Sequence, residues 1–131
     1  MLNLSHKNLE VYKIAMNLVR DIYKETKTFP KEELYILVSQ IRRAAISVCS
    51  NIAEGASRIS KKEKKRFYEI SRSSLVELDT QLVIAIILDY YIKGKVKELE
   101  EHLESTFKML SKMINNLSLP PTSHSPNPSS H

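Results

Sequence analysis

Along this chain, apolar residues recur every three or four positions in four successive segments, the spacing of amphipathic helices. In the first, Leu9, Tyr12, Ala15, Val19, Ile22 and Tyr23, with Met16 and Leu18 alongside, predict a helix over about 8–26. Phe29-Pro30 ends it, because the residue before a proline is pushed out of the α region. A second helix is expected over 31–54, with Pro30 near its first position and Glu32 and Glu33 in the first turn, where the helix dipole favours acids. Its stripe is Leu34, Leu37, Ile41, Ala45, Val48 and Ile52, flanked by Ile46, Cys49 and Ala53, with Gly55 as the C-terminal cap. Ser60-Lys61-Lys62-Glu63 has the form of a capping box and opens a third helix over 61–93. There Phe67, Ile70, Ser74, Leu75, Leu78, Leu82, Ala85 and Leu88 make the expected core stripe, and Gly94 marks the stop. A fourth helix over 96–116 carries Leu99, Leu103, Phe107, Leu110, Met113, Ile114 and Leu117.

Four helices joined by short connections predict an all-α fold, an antiparallel up-down-up-down four-helix bundle occupying residues 1–117. The remaining 118–131 form a Pro/Ser-rich, low-complexity tail, expected to be disordered. One stretch breaks the amphipathic pattern: residues 82–88, Leu-Val-Ile-Ala-Ile-Ile-Leu, are apolar all round. A helix greasy on every side must be covered on every side. One small chain supplies that cover poorly, so self-association is expected, with Val83, Ile84, Ile86 and Ile87 at the interface.

Composition narrows the class. An apolar fraction of 42% and a charged fraction of 27% are those of a soluble globular protein. Cys49 is the single cysteine, which excludes an intramolecular disulfide and a multi-thiolate zinc site. The N-terminal residues lack the apolar core of a signal peptide, and no apolar run approaches the roughly 20 residues of a membrane span. A cytoplasmic protein without membrane association is expected.

Charge distribution supplies the functional lead. The net charge is +5, and residues 40–72 hold nine Lys/Arg against three Asp/Glu. Arg58, Lys61, Lys62, Lys64, Lys65, Arg66 and Arg72, near Arg42 and Arg43, form a candidate nucleic-acid-binding surface. Lys and Arg neutralise phosphates without regard to sequence, and cations at a helix start oppose its dipole, which argues for a purpose other than stability. The competing reading is a solvated, solubilising face. Of the neighbouring aromatics, Phe67 falls on the expected core stripe; Tyr68 is either packed or a platform for a base. No base-reading motif is evident.

A second pattern runs along the second helix. Gln40, Arg43, Ser47, Asn51 and Glu54 share one face, either solvated or joined in a structural polar network that fixes helix or subunit register. No catalytic residues are assigned. Cys49 lies among apolar residues rather than in a nucleophile's setting, and Glu98, Glu101 and His102 suit a solvated helix face better than a metal site. No cofactor is expected.

The run Gln-Ile-Arg-Arg-Ala-Ala-Ile-Ser-Val-Cys-Ser-Asn-Ile-Ala-Glu-Gly at 40–55, followed by Arg58, resembles a bacterial family. These are the four-helix bundle proteins first noticed as reading frames in intervening sequences of 23S rRNA genes. The resemblance covers most of residues 8–116 and includes Phe29-Pro30, Glu33, Tyr35, Ser74-Leu75 and Glu77-Leu78. Where such proteins often carry an Ala-x-Gly-Ser type segment, this chain has Ser71-Arg72-Ser73-Ser74. The family is also similar to the accessory protein of diversity-generating retroelements, a basic pentameric barrel. The resemblance implies a bundle that assembles into a ring-like homopentamer, with RNA, DNA or another protein as partner, and brings no catalytic residues.

Overall fold

The computed structural model describes residues 1–118; the expected tail beyond Ser118 lies outside the described residues. Four α-helices make the fold: α1 (Glu10–Thr26), α2 (Ser39–Ser57), α3 (Lys61–Ile87) and α4 (Lys97–Ser118). There is no strand among the described residues. The helices form a four-helix bundle in which α1 packs on α2, α2 on α3, α3 on α4, and α4 back on α1. Leu18 and Ile22 of α1, Ile41, Val48 and Ile52 of α2, Leu75 and Leu78 of α3, and Leu99 and Leu110 of α4 meet in one fully buried core.

The α2–α3 pair is the most extensive contact, and small residues on both helices explain it. Ser71 is fully buried and donates to the Val48 carbonyl at 2.8 Å, while Ser47 and Ser74 hydroxyls lie 2.9 Å apart. Gly55 sits under the Tyr68 ring. Positions later on α3 therefore meet positions earlier on α2.

The buried stripes are rotated from those read off the sequence. On α1 the core face is Val11, Ala15, Leu18 and Ile22, while Met16 is exposed. On α3 it is Tyr68, Ser71, Leu75, Leu78, Leu82 and Ala85, so Phe67 is only half-buried and Ile70 is exposed. On α4 the small Thr106 is buried and Phe107 faces outward.

Three element ends also differ from the pattern, the first at the end of α2, which runs on to Ser57 so that Gly55 lies inside the helix instead of capping it. The expected second helix opens with a 3-10 turn at Lys31–Glu33 and a π-helical turn at Leu34–Val38 before regular α2 begins. A π turn holds an extra residue and rotates everything before it about the helix axis. Leu34 consequently leaves the core stripe, and Leu34, Tyr35 and Ile36 are exposed together. The third helix stops at Ile87 rather than near Lys93. Asp89 takes φ 63°, and the Asp89 and Tyr90 amides donate to the Ile86 and Ala85 carbonyls, a closure of the Schellman type. Asp is among the few non-glycine residues that tolerate that conformation.

Tertiary contacts then hold the connection. The Tyr90 ring packs on Phe29 with centroids 5.6 Å apart, and its hydroxyl donates to Glu33 at 2.8 Å. The buried Tyr91 donates to Glu100 at 2.6 Å, and Lys95 pairs with the buried Glu25 at 2.8 Å.

Candidate nucleic-acid interface

The α2–α3 turn is built by three local devices. Ser60 caps α3, its hydroxyl accepting from the Glu63 amide at 3.0 Å. Lys64 turns inward and donates to the Ala56 carbonyl at 3.0 Å, satisfying an end group of α2. Gly55 permits the close crossing: a Cβ there would lie 2.6 Å from Tyr68 Cε1 and 3.2 Å from Phe67 Cβ.

That crossing buries Tyr68, the packed alternative of the two, and leaves Phe67 half-buried at the surface instead of on the core stripe where the sequence put it. Tyr68 is therefore unavailable to stack on a base. The guanidiniums of Arg58 and Arg66 both lie over the Phe67 ring, at 4.7 and 4.9 Å from its centroid. Each also meets a nearby acid, Arg58 with Glu54 at 3.3 Å and Arg66 with Glu63 at 3.8 Å, and all four side chains are about half exposed. Exposed pairs of this kind hold charges weakly. Lys61 and Lys62 are exposed in the first turn of α3, and Lys65 is half-buried one turn on.

The other candidate cations do not join this cluster. Arg42 lies some four turns back along α2, donates to Thr26 Oγ1 at 3.0 Å and stacks 4.4 Å from the Tyr23 ring, tying α2 to the end of α1. Arg43 beside it is exposed. Arg72 lies about three turns along α3, donates to Ser111 at 3.1 Å and sits over Phe107. The nine cations thus separate into a cluster at the turn (Arg58, Lys61, Lys62, Lys65 and Arg66), an inward cap (Lys64), and side chains bridging or flanking helices elsewhere.

The polar face of α2 divides likewise. Asn51 donates to the Ser47 carbonyl at 2.9 Å and to its hydroxyl at 3.1 Å, and Ser47 meets Ser74, making a half-buried chain of hydrogen bonds across the α2–α3 seam. Glu54 holds Arg58, whereas Gln40 and Arg43 are exposed and make no side-chain hydrogen bond among the described residues. Of the apolar positions expected at an interface, Val83, Ile84 and Ile87 are exposed and stand uncovered within the single chain, while Ile86 is half-buried against the core.

Burial pushes the Cys49 thiol up to about 11, which keeps it neutral, and His102 Nδ1 lies 2.6 Å from Asp21 Oδ2. No cluster of three or more metal-ligating side chains forms among the described residues, nor is any of their helices long and apolar enough to cross a membrane.

Sequence reasoning missed the Arg58–Phe67–Arg66 stack, because the stripe it drew put Phe67 inside. The available signal was Gly55: a glycine opposite an aromatic pair marks where one ring approaches the backbone. Comparison with curated proteins returned no match. The model of one family, described as 23S rRNA-intervening sequence protein, matches residues 7–112. That span takes in all of α1, α2 and α3 and most of α4, and the chain belongs to this family.

Proposed function

We propose that this protein is a non-enzymatic, self-associating helical bundle that binds RNA or DNA without sequence preference through the cationic turn between α2 and α3. The observation that carries the reading is the stack of Arg58 and Arg66 on Phe67, beside exposed Lys61 and Lys62. Stacking orders the guanidinium planes and leaves their N–H edges available, the geometry that suits phosphate oxygens. An up-down-up-down order of antiparallel helices, supported for α2 and α3 by the Gly55–Tyr68, Val48–Ser71 and Ser47–Ser74 contacts and for α1 and α4 by Glu25–Lys95 and Asp21–His102, would bring this turn to one end of the bundle. Self-association into a ring, as in the pentamer the family resemblance implies, would repeat the cluster and add avidity.

The test is binding of a fluorescent 20-nucleotide RNA and its DNA counterpart across a salt series. About five phosphate contacts give a slope near −3.5 in log K against log salt for a single strand, so affinity falls about a hundredfold from 50 to 200 mM. Replacing Lys61, Lys62, Lys65 and Arg66 by Gln should remove binding while leaving the helical circular dichroism unchanged. Absence of binding at low salt, or undiminished binding by that variant, refutes the reading.

A second reading, a protein-interaction or assembly module with no nucleic-acid role, is favoured by a different observation. The α3–α4 seam is an open groove of about 720 Å³ lined by Val76, Val83, Leu103 and Phe107, an apolar surface in want of a cover.

A further inference from the structure

Two apolar surfaces lie on opposite sides of the bundle and carry opposite charge. Since the helices pack in the cyclic order α1, α2, α3, α4, the α1–α2 seam and the α3–α4 seam face away from one another. Three carboxylates line the α3–α4 groove: Asp79, Glu100 and Glu104. Asp79 is in no ion pair among the described residues, and Glu100 accepts from two neutral donors, the Tyr91 hydroxyl and the Gly94 amide, so neither is matched by a counter-charge. Glu104 meets only the exposed Lys108, and Lys93 also stands along the groove. On the other side, the depressions along the α1–α2 seam are lined by apolar residues, Leu34, Tyr35, Ile46 and Met16 among them, with Arg42 and Arg43 and no carboxylate. Tyr35 is almost fully exposed, at 89%, which is an unusual place to leave a large ring.

We propose that the α1–α2 face of one copy docks into the α3–α4 groove of a second copy. This rests on the self-association reading above and names the two surfaces that meet. Apolar area alone does not choose between possible pairings, but charge does. Groove against groove sets Asp79, Glu100 and Glu104 against their own kind, and face against face sets Arg43 against Arg43. Groove against face puts arginine opposite carboxylate. The contact is then heterologous: each copy keeps one free groove and one free face, and copies add head to tail until the rotation closes a ring. Val83 and Ile86 lie in this contact, while the cationic turn at Arg58–Arg66 lines neither surface and stays free.

Two double variants at exposed positions test this. Asp79→Lys/Val83→Lys disables the groove, and Tyr35→Glu/Arg43→Glu disables the face. Circular dichroism melts show that each is folded, and sedimentation velocity at micromolar concentration gives the mass. The expected result is that wild type is oligomeric and each variant alone is monomeric. Their equimolar mixture forms a dimer and nothing larger, because one intact groove and one intact face remain. A mixture that stays monomeric, or either variant keeping the wild-type mass, overturns the pairing while leaving self-association standing. A wild-type monomer overturns both.

Discussion

Gly55→Ala is the substitution that most directly tests how the α2–α3 crossing is made. In an exposed helix interior, this change gains about 1 kcal/mol of helix propensity. Here the new Cβ would lie 2.6 Å from Tyr68 Cε1 and 2.8 Å from Cδ1. The ring must retreat by roughly 1 Å to reach ordinary contact near 3.5 Å. Tyr68 is only 5% exposed, so the retreat displaces packed neighbours rather than water. Overpacking of that kind costs about 1–3 kcal/mol, and at the upper half of that range it outweighs the propensity gain, leaving a net loss of about 1–2 kcal/mol. With a urea m-value of about 2 kcal/mol/M, the unfolding midpoint should fall by about 0.5–1 M with the slope unchanged. The control is the same substitution beside Tyr68→Leu, where no ring stands in the way and the alanine should become neutral or stabilising. Two results would refute the reasoning: a raised midpoint for Gly55→Ala alone, or the same loss in both backgrounds.

At the end of α3, Asp89→Gly should raise stability by up to about 1 kcal/mol, because glycine adopts φ 63° without a Cβ penalty, while Asp89→Val should lower it by about 1–2 kcal/mol; urea midpoints check both. Burial raises the Cys49 thiol from 9.0 to about 11 and lifts Tyr68 above the usual phenol range, and burial together with the Glu100 contact does the same for Tyr91. A raised pKa means the folded state holds its proton more tightly than the unfolded chain, so this stability is present below pH 9 and is lost as pH rises through 9 to 11 and beyond. Urea midpoints should be flat with respect to these groups from pH 7 to 8.5 and fall above pH 9; a midpoint that rises there would contradict the assignment. Lys61→Gln and Lys62→Gln should each stabilise the fold by on the order of a few tenths of a kcal/mol at low salt, since they remove cations from the positive end of α3. Thermal melts at 10 and 300 mM salt should show that gain shrinking as salt rises.

Helix number and order were legible because a period of three to four survives errors of phase. The phase itself was not, and each slip has a cause in packing. Apolar size misled on α1 and α4: Met16 and Phe107, counted with the core, lie outside, while Thr106, left out of the stripe, lies within. Close helix contacts select small side chains, and a reading that ranks positions by hydrophobicity passes over them. The π-helical turn at Leu34–Val38 has no marker in the local sequence, yet it moves Leu34 from core to surface. The end of α3 carries neither glycine nor proline. It is enforced from a distance, by Tyr90 on Phe29 and Glu33 and by Tyr91 on Glu100, contacts that only the folded chain brings together.

The charged residues show why a count of cations is a poor map of a site. Periodicity placed nine Lys and Arg in one stretch of sequence, but a helix advances about 1.5 Å per residue, so Arg43 and Arg58 stand about 22 Å apart along α2. What sorts them is the partner each side chain finds. Lys64 finds free carbonyls at the end of α2, Arg42 finds Thr26 and the Tyr23 ring, and Arg72 finds Ser111. Arg58 and Arg66 find Phe67, a partner that orders a guanidinium without neutralising it, and beside it only the half-exposed carboxylates of Glu54 and Glu63, which hold them weakly. A cation held in place yet still charged is the kind that can contribute to binding an anion. Phe67 reaches the surface because Tyr68 occupies the space over Gly55, so the glycine that sets the helix crossing also sets the geometry of the charge beside it.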